Sequence, residues 1–79
     1  MGNLEKYNKV FIESFELTED KLAGLKYQAT ELWDSVGHMT LIANLEDAFD
    51  IMMETDDIID LSSYEKGIDI LKEKYAIDF

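Results

Sequence analysis

The stretch Asp34-Ser35-Val36-Gly37-His38-Met39-Thr40-Leu41-Ile42 decides how this chain is read. An irregular stretch precedes it, and an apolar-periodic segment from Val36 to Phe49 follows. At about 100° per residue, Met39, Ile42, Leu45 and Phe49 share one arc, with Leu41 at its margin. The opposite arc carries Val36, Thr40, Ala43, Asp47 and Asp50, the surface that would meet a partner. No Lys or Arg occurs between Lys26 and Lys66, whereas ten Asp and Glu residues do. A serine at the mouth of such a helix, with a carboxylate beside it, makes a poor catalytic centre. It makes a good attachment point for a covalent group that basic enzymes come to collect.

Upstream, Asn3 to Phe15 places Leu4, Tyr7, Phe11 and Phe15 on one helical stripe. Glu16 to Trp33 loses that period. It carries turn chemistry at Thr18-Glu19-Asp20 and Gly24, and scattered anchors at Leu22, Leu25, Leu32 and Trp33; so long a loop must be pinned by them. Downstream, Thr55 to Asp60 reads as a short helix with Thr55 as N-cap and Ile58 and Ile59 as anchors. A capping box, Ser62-Ser63-Tyr64-Glu65, opens the last helix, which buries Tyr64, Ile68, Leu71 and Tyr75 and ends near Ala76. The predicted fold is all-α, a small antiparallel four-helix bundle with a long first loop and a short third helix, one domain over residues 1–79.

Seventy-nine residues allow one small core. There is no cysteine, no apolar run near the ~18 residues of a membrane span, and the first residues do not read as a signal-peptide h-region. Lys6 stands where a Met1-Gly2 myristoylation signal needs Ser or Thr. A cytoplasmic monomer is expected. All seven basic residues are lysine against eighteen acidic ones, a formal charge of −11. That excludes nucleic acid, which needs a basic footprint, and disfavours anionic membranes. It favours partners with Lys and Arg patches. His38, the only histidine, falls on the core-facing arc with no nucleophile beside it, so no triad forms. With no arginine either, the chain does not read as an enzyme. Glu54, Asp56, Asp57 and Asp60 lack the alternating ligands and central glycine of a calcium loop, so no metal site is expected.

In the order of these elements the chain resembles the acyl carrier protein family across nearly its whole length. The family's Asp-Ser-Leu motif is matched as Asp34-Ser35-Val36, opening an acidic helix after a long loop. The resemblance implies that Ser35 carries 4′-phosphopantetheine, added from coenzyme A by a phosphopantetheinyl transferase, with an acyl or aminoacyl cargo held as a thioester. Asp34 would position the transferase or its metal, and Val36 would offer an apolar contact beside the arm. Glu46, Asp47, Asp50 and Glu54 match the surface that recognises basic partners, and Ala43 on the same outward arc would join it. Those partners are the transferase, an acyl-loading ligase or acyltransferase, and a ketosynthase or other acyl-processing enzyme. The family shelters its cargo between helices, and Met39, Ile42, Leu45 and Ile59 are the lining this implies. Fatty-acid, polyketide and cell-envelope or secondary-metabolite biosynthesis are the implied settings. Gly37 and Thr40 depart from positions often acidic in the fatty-acid type, as do Leu32 and Trp33 from its small residues. From the residues alone, an unmodified acidic helical adaptor for a basic protein stays open as the alternative.

Overall fold

The computed structural model describes residues 2–79; Met1, with which the myristoylation reading begins, lies outside them. Four α-helices follow in order: α1 (Asn3–Phe15), α2 (Ser35–Phe49), α3 (Thr55–Asp60) and α4 (Tyr64–Tyr75), with a single 3-10 turn at Glu19–Lys21 after α1. Among the described residues there is no strand, only an isolated antiparallel bridge between Lys26 and Ser63. Among the described residues no helix is long and apolar enough to cross a membrane.

Contacts along α1 show how the helices run. Lys6 Nζ sits 5.0 Å over the Phe49 ring, Asn44 Nδ2 donates to Ser14 Oγ at 2.9 Å, and Phe15 stacks on Trp33 at 5.1 Å. Residue numbers rise on α1 as they fall on its partner, so α1 and α2 are antiparallel. The same order holds against the last helix and the residues after it. Phe11 meets the Tyr64 ring, Tyr7 Oη donates to the Tyr64 carbonyl at 2.7 Å, and Asn3 Nδ2 donates to the Asp78 carbonyl.

The core is aromatic at its centre. Phe11 contacts the rings of Tyr7, Phe15, Trp33 and Tyr64, and each ring so buried contributes roughly 1.5–3 kcal/mol. Burial pushes the Tyr7 hydroxyl well above its usual range, with Tyr64 nearby adding to the shift. Gly67 makes this packing feasible: a Cβ there would stand 2.1 Å from Tyr7 Oη.

Several local expectations shift by a residue or a face. On α1, Leu4 is exposed and Val10 takes its place in the core. The long loop is pinned by Leu22, Leu25 and Trp33, but Leu32 points outward. Backbone bonds from Tyr27 N to the Ser62 carbonyl (2.9 Å) and from Tyr64 N to the Leu25 carbonyl (2.8 Å) add to the pinning. On α2 the buried arc is centred on Leu41, Ile42 and Leu45, because α1 covers that side; Leu41 is not marginal, and Met39 turns away. Glu54 holds the cap position of α3 without a side-chain bond, so Thr55 is the first helical residue rather than its cap. Ile59 is exposed. Ser63, not Ser62, caps α4 by accepting from Lys66 N. The capping box does not close, because Glu65 Oε2 accepts from Gly24 N instead. The buried face of α4 is Gly67, Ile70 and Leu71, with Tyr64, Ile68 and Tyr75 half-buried.

Candidate functional site

The mouth of α2 is built by a cap and a missing side chain. Asp34 has extended backbone geometry, and its Oδ1 accepts from Gly37 N at 2.8 Å. Asp34 therefore does the capping. Ser35 becomes the first helical residue, exposed to solvent with its hydroxyl outside the cap. Gly37 lets the loop fold back onto this turn, since a Cβ would stand 1.7 Å from the Leu32 carbonyl oxygen. A side chain of any kind has no room there. Before the helix, Trp33 drops into the core with none of its surface exposed. That anchor fixes where Asp34 and Ser35 emerge. Val36, at 75% exposure, stands next to them in solvent.

Beside Ser35 opens an apolar cavity of about 340 Å³. Tyr27 and Ser62 form one wall, brought together by the bond between their backbones. Ser35, His38 and Met39 line the α2 side, Ile58 and Ile59 the α3 side, and Leu61 completes the lining. Met39 and Ile59 are thus on the cavity. Ile42 and Leu45 are not: both are buried in the hydrophobic core. Tyr27, His38, Ile58, Leu61 and Ser62 were not foreseeable as a group, because three separate chain segments deliver them. The one local signal was the i, i+3 spacing of Ser35 and His38, which sets them on one helical face.

The acidic residues do not form one patch. Glu46 is half-buried, and its Oε2 accepts from Met53 N at 2.8 Å, tying the α2–α3 connection. Asp47 borders a polar groove shared with Lys6 and Lys9 of α1. Asp50 ends α2 in the left-handed region (φ 53°), and Glu54 begins α3. Asp47, Asp50, Glu54 and Ala43 are exposed.

One carboxylate was missed as a structural element. Asp57 is only 2% exposed. Tyr75 Oη donates to its Oδ2 at 2.7 Å, and Lys74 Nζ stands 3.0 Å from Oδ1. Among the described residues Lys74 is thus the only charged partner of a carboxylate otherwise shut away from solvent. The Tyr75 hydroxyl, then the Lys74 ammonium, hold the Asp57 carboxyl below the usual carboxylate range. Among the described residues no three His, Asp or Glu side chains gather as metal ligands. No protein-family model matches the chain, and neither a curated protein nor a solved structure does.

Proposed function

We propose that the chain is a carrier protein of the acyl carrier type, modified at Ser35 with 4′-phosphopantetheine and itself without catalytic activity. One observation carries the reading. An exposed serine hydroxyl, released from capping by Asp34, stands on the rim of an apolar cavity large enough to receive part of a flexible chain.

Ser35 Oγ would attack the phosphorus of coenzyme A's diphosphate that bears the pantetheine, breaking its bond to the bridging oxygen. A new O–P bond forms, 3′,5′-adenosine bisphosphate leaves, and the hydroxyl proton passes to a base of the transferase. The first N–H groups of α2 have no helical partner, and the positive end of the helix favours the phosphodiester anion so formed. When attached, the arm supplies the thiol that this cysteine-free chain lacks, and cargo rides on it as a thioester. Met39, Ile58, Ile59 and Leu61 offer that cargo an apolar environment. Exposed Asp47, Asp50 and Glu54 supply negative charge for basic partner enzymes, speeding encounters that are screened by salt.

Intact-protein mass tests this directly. The protein is incubated with coenzyme A, magnesium and a broad-specificity phosphopantetheinyl transferase, beside Ser35→Ala. Wild type should gain one phosphopantetheine and the variant none. Unchanged wild type, with an active control carrier in the same tube, would overturn the reading in favour of an unmodified acidic adaptor.

A further inference from the structure

Six residues without a side-chain cap cannot hold a helix in water, so α3 depends on what grips it. Two grips exist. At its start, Glu54 N donates to Tyr75 Oη at 2.8 Å, the same hydroxyl donates to Asp57 Oδ2, and Lys74 Nζ pairs with Asp57 Oδ1 at 3.0 Å. In its last turn, the Ile58 carbonyl is one of the acceptors a helix leaves without internal partners. His38 Nε2 meets it at 2.7 Å.

The direction of that second bond follows from Trp33. Its indole N–H can only donate, and it points at His38 Nδ1 from 3.0 Å. Nδ1 is therefore the acceptor, and the ring proton sits on Nε2, where it donates to Ile58. Trp33 is immobilised by stacking on Phe15 and lies nearly parallel to the His38 ring, at 12°. A rigid core residue thus sets both the tautomer and the aim of His38.

We propose that His38 is a positioning residue. Through its Nε2–H bond to Ile58 it holds α3 as a separately movable wall of the cavity beside Ser35, and this wall opens as a unit ahead of the rest of the fold. That the opening admits cargo rests on the carrier reading above; the opening itself does not.

Hydrogen exchange on the full, unmodified chain tests it. Two amides report on α3, Ile58 N bonded to the Glu54 carbonyl and Leu61 N bonded to the Asp57 carbonyl, both at 3.0 Å. Amides of α1 serve as the internal reference. His38→Gln keeps a donor near Nε2 and loses the acceptor for Trp33; His38→Asn keeps an acceptor near Nδ1 and cannot reach Ile58. The ratio of α3 to α1 exchange should rise about tenfold in His38→Asn, the worth of one hydrogen bond, and stay within about twofold of wild type in His38→Gln. Tyr75→Phe removes both hydrogen bonds of the other grip, leaving only the half-exposed Lys74 contact, and should raise the same ratio with His38 intact. Equal ratios in the Asn and Gln variants, or α3 exchanging in step with α1 in Tyr75→Phe, would overturn the proposal. Failure of Ser35 to accept phosphopantetheine would overturn the carrier reading and leave the exchange result standing.

Discussion

Between α1 and α4 the rings of Tyr7, Phe11 and Tyr64 pack against one another, and Gly67 yields its Cβ space to the Tyr7 hydroxyl. Between α2 and α3 there is instead an open cavity, apolar side chains facing solvent, and a helix held by a few polar contacts. The first region spreads its free energy over many dispersion contacts, none of them decisive. The second rests on a few directional contacts that can be lost one at a time. A small domain can thus keep a firm seam and a yielding wall in the same 79 residues.

The sharpest way to break this contrast is to empty the seam. Phe11→Ala should cost about 3–5 kcal/mol, a large share of the ~5–15 kcal/mol that holds such a domain together. Thermal melting followed by circular dichroism reads it, and a loss under about 1 kcal/mol would mean the ring cluster is not the core it resembles. Next comes Gly67→Ala, expected to cost about 2 kcal/mol through overpacking against Tyr7. Adding Tyr7→Phe removes the clashing oxygen, so the double variant should melt above the single one. A double variant no better than Gly67→Ala would place the strain elsewhere.

Acid should weaken the wall with a smaller effect, because Lys74 is half-exposed and its ion pair is screened. The Asp57 carboxyl is depressed in the folded state. Its contribution is therefore present above the unfolded value of about 3.9 and is lost as pH falls through the folded value. Wild type should outlast Asp57→Asn at neutral pH and lose that advantage in acid, with α3 signals changing first. Parallel pH profiles for the two proteins would remove Asp57 from the account. The smallest effect is expected at Ser35→Ala, which should change stability by no more than ~0.5 kcal/mol, since Asp34 holds the cap. A larger loss in the same melts would show that the hydroxyl is structural after all.

Much of the fold was legible locally. The stripe on α1, the period of α2 and the end of the last helix near Ala76 are properties of neighbouring residues, and the helices begin and end within a residue of where these features put them. Caps were less secure, because adjacent candidates compete. Asp34 and Ser35 both accept hydrogen bonds, as do Ser62 and Ser63, and only the backbone angles choose between them. The candidate site was half legible. Ser35, Met39 and Ile59 share the cavity, whereas Ile42 and Leu45 belong to the core. Periodicity gives the width of an apolar arc but not its centre. The centre moved to Leu41 because α1 packs there, which left Met39 (54% exposed) facing α3.

What the amino-acid sequence determined by itself, then, was the helical class, the helix boundaries and the charge that a partner would meet. Each depends on spacing and composition along the chain. Tertiary structure alone decided that Ser35 borders an apolar cavity, that Gly37 and Gly67 must lack side chains, and that His38 grips α3. Those facts depend on which backbone atoms approach from distant segments. The Leu32 and Ile58 carbonyls carry no side-chain identity, so no pattern of residue types could have announced them.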